Sequence, residues 1–343
     1  MATVADYFDM PLAQLRLMVA DNLAPVPERG SRRRRTVLVV RRMLLSPKTC
    51  GSMAWFAGIK QLDDCIDTPD VPRWADPALV VKDRRRRLEF VEQTTRVFGS
   101  IPAVYDPLCG LHDPVTTEAL EAHAPLILAV REGTRLHRPV HDMLWELWVS
   151  FLPDAYRVLR GQVIPTEEVQ TLAQHTNVLY GVGWAYLLGV PYHDAYVVML
   201  WLTRHFFEVD NLSDLVEDVV EGDSHYTDER LMAAQIDTDL FVQIRGWDDA
   251  FGIDGLTELF HGIAADQVRL WAGYSRREMV KLFSKAPGPE RFVYRVLAWV
   301  FATQQLVEAW QLERMSAAWL EVKPLSRWWL ARNVVRCRAL PVF

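Results

Sequence analysis

Two stretches carry acidic side chains at spacings that could do chemistry. One is Gln61-Leu62-Asp63-Asp64-Cys65-Ile66-Asp67 and the other is Asp210-Asn211-Leu212-Ser213-Asp214-Leu215-Val216-Glu217-Asp218. On a helix Asp63 and Asp67 share a face, with Asp64 three residues from Asp67, and Asp210, Asp214 and Asp218 repeat every four residues on another. Stacked like charges repel, so a helix carrying them in apolar surroundings is strained until cations neutralise it. Clustered carboxylate oxygens with room for water suit Mg²⁺, and the ligand such a pair of sites suits is a diphosphate held by Mg²⁺.

The elements that must position these acids read as helices. Met53, Phe56, Ile59, Lys60 and Asp63 are spaced by three or four, predicting a helix over 51–67 that Pro69 and Pro72 stop. Asp76-Pro77 opens another, to about Phe98, carrying the arginine run Arg84 to Arg87. A loop rich in Pro, Asp and Gly, Ile101 to Asp113, leads to helices over 116–137 and 140–159, the latter with Met143, Leu144, Leu147, Trp148, Phe151 and Leu152 as a wide apolar face. Thr166-Glu167-Glu168-Val169 starts a helix in capping fashion, ending before Pro191, and 193–220 carries the second acidic stretch. Further helices are expected over 228–245, 254–284, 289–320 and 324–338. No alternating strand pattern is present, so the prediction is all-α, about ten helices, without internal repeats. Residues 1–35, broken at Pro25, Pro27 and Gly30, read as a cap on a single domain over 36–343.

Composition excludes several functions. Of 343 residues, 50% are hydrophobic and 24% charged, as in a globular protein with a core. A net charge of -6 gives no electrostatic case for nucleic acid. The arginine runs at 32–35 and 84–87 read as solvated surface or as the mouth of an anion site. Cys50, Cys65, Cys109 and Cys337 are widely spaced, predicting free thiols and a cytoplasmic location. No signal-peptide pattern is visible, and the apolar stretches near 178–207 and 292–307 are broken by polar residues and Pro191. Peripheral contact with a bilayer stays open. Gly181-Val182-Gly183 follows no strand and is not a dinucleotide loop, and Pro139 between His137 and His141 argues against zinc.

The two acidic motifs and their flanks resemble the squalene and phytoene synthase family. Leu44-Leu45-Ser46-Pro47 and Ala54-Trp55-Phe56-Ala57-Gly58-Ile59-Lys60-Gln61-Leu62-Asp63-Asp64-Cys65-Ile66-Asp67 look like its L-L-P stretch and its A-L-Y-A-F-C-R-x-x-D-D-x-x-D helix. Asp214-Leu215-Val216-Glu217-Asp218 is similar to its D-x-x-E-D, with Tyr226, Tyr274 and Arg291 near its later tyrosines and diphosphate-binding arginine. The resemblance implies an isoprenoid synthase fold, one helical domain around a central cavity. It also implies Mg²⁺ on Asp63, Asp64, Asp67, Asp210, Asp214 and Asp218, with Asp63, Asp64, Asp67, Asp214 and Asp218 as the catalytic set. Substrate contacts fall to Lys60, Arg41, Tyr180 and Glu146, and to Trp184, Tyr226, Tyr274 and Arg291. The implied reaction is loss of diphosphate from an allylic prenyl diphosphate, leaving a carbocation that apolar and aromatic walls shield. Most of the 13 tryptophans read as interface packing, with Trp184 and Trp201 as cavity candidates.

Departures from the family cluster where it holds a second prenyl chain. The glycine of its central V-A-G is Tyr180, the glycine of its D-L-I-x-G-M is Glu146 with Ser150 for the following aspartate, and Ser213 replaces an arginine. The expected activity is therefore Mg²⁺-dependent prenyl transfer to a small aromatic, carbazole-like acceptor in secondary metabolism. His175, Glu146, His205 and Glu208 are candidate bases. The alternatives are head-to-head joining of two prenyl diphosphates, terpene cyclase-like ring closure, and a catalytically silent binding protein.

Overall fold

The computed structural model describes residues 3–24, 34–72, 74–105, 115–160, 166–197 and 199–200, and thereafter 203, 219, 232, 235–246, 249–250, 252–253, 255–256 and 285. The described residues are mostly helical and contain no strand, so the protein is all-α over them. The helices are α1 (Val4–Asp9), α2 (Leu12–Leu23), α3 (Arg34–Leu45), α4 (Cys50–Asp67), α5 (Pro77–Tyr105), α6 (Thr117–Arg135), α7 (His141–Arg160), α8 (Thr166–Leu187) and the single turn α9 (Thr238–Phe241). The chain divides into two compact units. Met1–Ile164 with His175–Leu188 form the first, and Pro165–Gln174 with Gly189–Phe343 form the second. No helix among the described residues is long and apolar enough to cross a membrane.

The core of the first unit is built on α4 against α6. Gly51 and Gly58, seven residues apart, lie where a Cβ would come within 2.9 Å of Glu132 Cβ and 2.7 Å of Leu126 Cγ. Their missing side chains let the two helices approach, and Ala54, Trp55, Leu62 and Ile66 are buried along the same helix. The opposite face of α4, carrying Phe56, Lys60, Asp63 and Asp64, stays open to solvent or half-covered. Amphipathicity thus fixes which side of α4 can act: the apolar stripe goes inward and the acids face out.

The N-terminal segment packs on this unit. Arg131 of α6 donates to the carbonyls of Tyr7 and Met10, and Arg16 of α2 pairs with the buried Glu132. Residues 25–33 lie outside the described residues.

Three expectations are corrected. The loop predicted from Ile101 begins later, because α5 runs on to Tyr105 with Pro102 inside it. Val97, Phe98 and Ile101 are all buried, so tertiary packing holds the turn that the proline weakens. The helix predicted over 228–245 is interrupted. Gln235 has φ 59°, a left-handed conformation that ends a helix, and the Asp237 carboxylate accepts from the backbone N–H groups of Asp239 (2.9 Å) and Leu240 (3.3 Å) to start the turn α9. Gly255, at φ 83°, is likewise a turn rather than part of the helix expected from 254. In the second unit a helical segment begins at Tyr192, as expected, and Lys285 pairs with Asp194. The helices expected over 289–320 and 324–338 lie outside the described residues.

Candidate active site

The first acidic motif occupies the last two turns of α4. Lys60 Nζ lies 2.8 Å from Asp63 Oδ2 and 3.1 Å from Asp64 Oδ1, so one ammonium is shared by two carboxylates. Partial burial disfavours its charge, yet the two neighbouring carboxylates outweigh that and hold the Lys60 ammonium above its ordinary pKa. The arrangement follows from helical spacing alone, since i, i+3 and i, i+4 side chains are neighbours. Cys65, beside Asp64, is free, and burial followed by the Asp64 charge raises its thiol.

What terminates and anchors this helix is Arg87 of α5. Its Nη1 donates to the carbonyl of Ile66 at 2.8 Å and reaches that of Asp67 at 3.5 Å. Only 4% exposed, the guanidinium lies 2.9 Å from Asp83 Oδ2 through Nε. The cation therefore sits at the negative end of the α4 dipole and fixes the turn that carries Asp67. The other carboxylate oxygen of Asp83 accepts from the Asp70 N–H at 3.2 Å, which ties down the chain leaving α4. Arg85 and Arg86 are paired as well, with Glu89 and with Asp70 and Asp83. An open groove of about 500 Å³ beside this turn is lined by Asp70, Lys82, Asp83 and Arg86 among others, with both signs of charge balanced. Arg85, Arg86 and Arg87 are thus ion-paired, and Arg87 is also a buried helix anchor. Its sequence signal was the i, i+4 pair Asp83 and Arg87 within an otherwise one-sign run.

α8 crosses the other flank of α4. The Trp55 indole N–H donates to the Tyr180 carbonyl at 2.9 Å, and Ser52 Oγ donates to the Trp184 carbonyl at 3.1 Å. As residue numbers rise on α4 they fall on α8, so the two helices run antiparallel. Gly183 makes the crossing feasible, because a Cβ there would lie 2.3 Å from the Trp55 ring. The Tyr180 ring stacks on Phe56, centroids 5.6 Å apart and 28° between planes. Phe56 is 45% exposed, so this aromatic pair has an open side. Phe56, Lys60, Asp63 and Asp67 fall at i, i+4, i+7 and i+11, a single stripe in which Asp63 lies about 10 Å along the axis from Phe56.

The remaining predicted residues separate into three groups. Glu146 of α7 is brought to His175 of α8, Oε1 to Nε2 at 2.9 Å. Arg41 of α3 is committed to α2, where it pairs with Asp21 and donates to the Ala20 carbonyl at 3.1 Å, so it serves the N-terminal packing. Asp210, Asp214, Asp218, Tyr226, Tyr274 and Arg291, with Trp201, His205 and Glu208, lie outside the described residues. Among the described residues no three His, Cys, Asp or Glu side chains gather closely enough to hold a metal ion. Trp55 and Trp148 are fully buried in helix interfaces, as most tryptophans were expected to be, and Trp184 is half-buried.

No protein-family model and no curated protein matches the chain.

The hard oxygens of Asp63 and Asp64 suit a small divalent cation, and an ammonium already bridges them. Together the stripe has a carboxylate end, bridged by the Lys60 ammonium, and an aromatic end on one helix face. Phe56 and Gly183 went unremarked as site residues in the sequence. The signal for Phe56 was its phase with Lys60, Asp63 and Asp67.

Proposed function

We propose that this chain ionises an allylic prenyl diphosphate with the help of Mg²⁺ and transfers the prenyl group to a flat aromatic acceptor. The fold proposed with it is that of the squalene and phytoene synthases, helices around a central cavity. The observation that carries this reading is the α4 stripe: a bridged carboxylate pair, Asp63 and Asp64, in phase with the Phe56 and Tyr180 stack.

Asp63, Asp64 and Asp67 would hold Mg²⁺, and by the resemblance Asp210, Asp214 and Asp218 are the second set of ligands. When bound, Mg²⁺ neutralises the charge that develops on the departing diphosphate. Lys60 is a ready donor to the same oxygens, since an ammonium displaced from two carboxylates keeps three N–H groups for a phosphate. Arg87 keeps the end of α4 from fraying while that charge moves. Phe56 and Tyr180 present ring faces near the point of ionisation, where a well-placed ring stabilises a cation by up to ~2 kcal/mol. Tyr180 also fills space that a glycine would leave to a second long chain, which favours a flat acceptor over a second prenyl diphosphate.

The test is incubation of the purified chain with dimethylallyl, geranyl, farnesyl and geranylgeranyl diphosphates, with and without Mg²⁺ and with and without carbazole. Mg²⁺-dependent diphosphate release with a prenylated carbazole is expected. Squalene or phytoene as main product would overturn the choice of acceptor, and a cyclised product without acceptor would point to ring closure instead. No diphosphate release from any donor would overturn the reading whole.

A further inference from the structure

Of the arginine run only Arg87 serves α4, and the first turns of α5 carry the rest of it to the surface. Asp83 and Arg87, at i and i+4, point inward and are 5% and 4% exposed. On the opposite side of the helix Ala78, Val81, Lys82 and Arg85 fall at i, i+3, i+4 and i+7 and form one outward stripe, all of it exposed. Leu79 flanks the stripe and lines the same open groove as Val71, Lys82 and Arg85. Val81 is 65% exposed, Leu79 50%, and Trp74, in the turn that leads into α5, 47%. Three large apolar side chains thus stand in water among cations.

The charges of this face are not evenly matched. Asp70 is paired with Arg86, Glu89 with Arg85 and Asp83 with Arg87, and Asp76 accepts from the Ala78 N–H at the start of the helix. Lys82 and Arg84 are exposed and have no ion-pair partner among the described residues. Uncompensated cations therefore stand beside exposed tryptophan, leucine and valine, in a chain whose net charge is -6. Long basic side chains reach phosphates while apolar neighbours enter the acyl boundary, and tryptophan favours the interface between the two. A free phosphate or a nucleic acid would use the cations and leave the apolar side chains without a role.

From this complementarity we infer that the start of α5 docks the protein on an anionic lipid surface. Lys82, Arg84 and Arg85 meet the headgroup phosphates, and Trp74, Leu79 and Val81 meet the acyl boundary. The inward side of the same turns holds the end of α4, where Arg87 Nη1 donates to the Ile66 carbonyl at 2.8 Å and Asp83 accepts from the Asp70 N–H at 3.2 Å. The docking face therefore lies one helix diameter, about 10 Å, from the turn that carries Asp67. An amphiphilic diphosphate of the kind proposed above concentrates at such a surface, yet the docking itself does not depend on prenyl transfer.

The experiment floats the full chain with vesicles of phosphatidylcholine alone, or of phosphatidylcholine with about one-third phosphatidylglycerol, in EDTA and without substrate. Binding to the anionic vesicles, weakened by added salt, is expected. Lys82→Gln combined with Arg84→Gln should lower it about 25-fold, at about fivefold per cation removed. Leu79→Ser combined with Val81→Ser should lower it about tenfold. Both pairs should melt within about 2 °C of the parent, because the altered side chains are exposed. Arg42→Gln combined with Arg96→Gln removes the same charge from other exposed positions and should lower binding less than about twofold. Equal binding to neutral and anionic vesicles, equal loss in the Arg42 and Arg96 control, or no vesicle binding by the parent would overturn the inference. So would binding that inorganic phosphate abolishes at matched ionic strength, or binding to an RNA oligonucleotide and not to vesicles. Each of these failures leaves the prenyl-transfer reading standing, since that reading is judged by diphosphate release in solution.

Discussion

Two clusters in the first unit pair carboxylates with cations, and they do so in opposite proportion. At Glu132 one carboxylate, 0% exposed, is claimed by two guanidinium groups, Arg16 and Arg135, with Arg135 Nε at 2.7 Å. On α4 one ammonium serves two carboxylates that are 41% and 58% exposed. The first cluster is saturated and sealed, with the neighbouring Cys50 thiol pushed up to about 12 by burial and by the Glu132 charge. The second carries surplus negative charge toward solvent and has capacity for another cation. Chemically similar groups therefore hold the fold in one place and leave net negative charge at the surface in the other, and the ratio of charges distinguishes them.

Breaking the sealed cluster should cost most. Glu132→Ala leaves Arg16 nearly buried without its partner, and loss of about 3–5 kcal/mol is expected in denaturant unfolding. A loss below about 1 kcal/mol would erase the contrast. Arg87→Ala comes next, because it removes the buried partner of Asp83, leaving that carboxylate to Arg86 and the Asp70 N–H, and frees the end of α4. A loss of about 3 kcal/mol is expected, together with weaker Mg²⁺-dependent diphosphate release.

A buried neutral group gives a third measure. His123 is 2% exposed, held by Thr94 Oγ1 at 2.7 Å and flanked by Phe90 and Phe98. Burial lowers its pKa to about 4 from an ordinary 6.5. The folded state thus resists a proton that the unfolded chain accepts, so this stabilisation is complete above pH 6.5 and is lost as pH falls toward 4. It amounts to on the order of 3 kcal/mol. Subtracting the pH dependence of His123→Gln from that of the parent isolates it, and parallel curves would contradict it. The smallest effect on stability belongs to Lys60→Ala, within about 0.5 kcal/mol because the pair is exposed. The variant should nevertheless gain more in melting temperature from added Mg²⁺ than the parent does, since its carboxylates have lost their internal cation. Equal gains would mean that Asp63 and Asp64 do not take the ion.

The sequence made much of α4 legible. Its bounds, its outward acids and its inward glycines and apolar residues all follow from a 3.6-residue period, and the α6, α7 and α8 bounds follow in the same way. Less legible were the ends of elements under tertiary control. α5 passes through Pro102 because Phe98 and Ile101 are buried, whereas the stretch near Gln235 breaks although no proline or glycine announces it.

Local spacing by itself determined which side chains are neighbours on one helix: Lys60 with Asp63 and Asp64, and Phe56 in phase with both Lys60 and Asp67. Only the tertiary structure decided which neighbours come from elsewhere. Tyr180 on Phe56, His175 at Glu146 and Arg87 on the Ile66 carbonyl join positions from 21 to 124 residues apart. The physical reason is that helical period fixes direction within an element, whereas contacts between elements depend on which glycines let two helices close, as Gly183 does against Trp55.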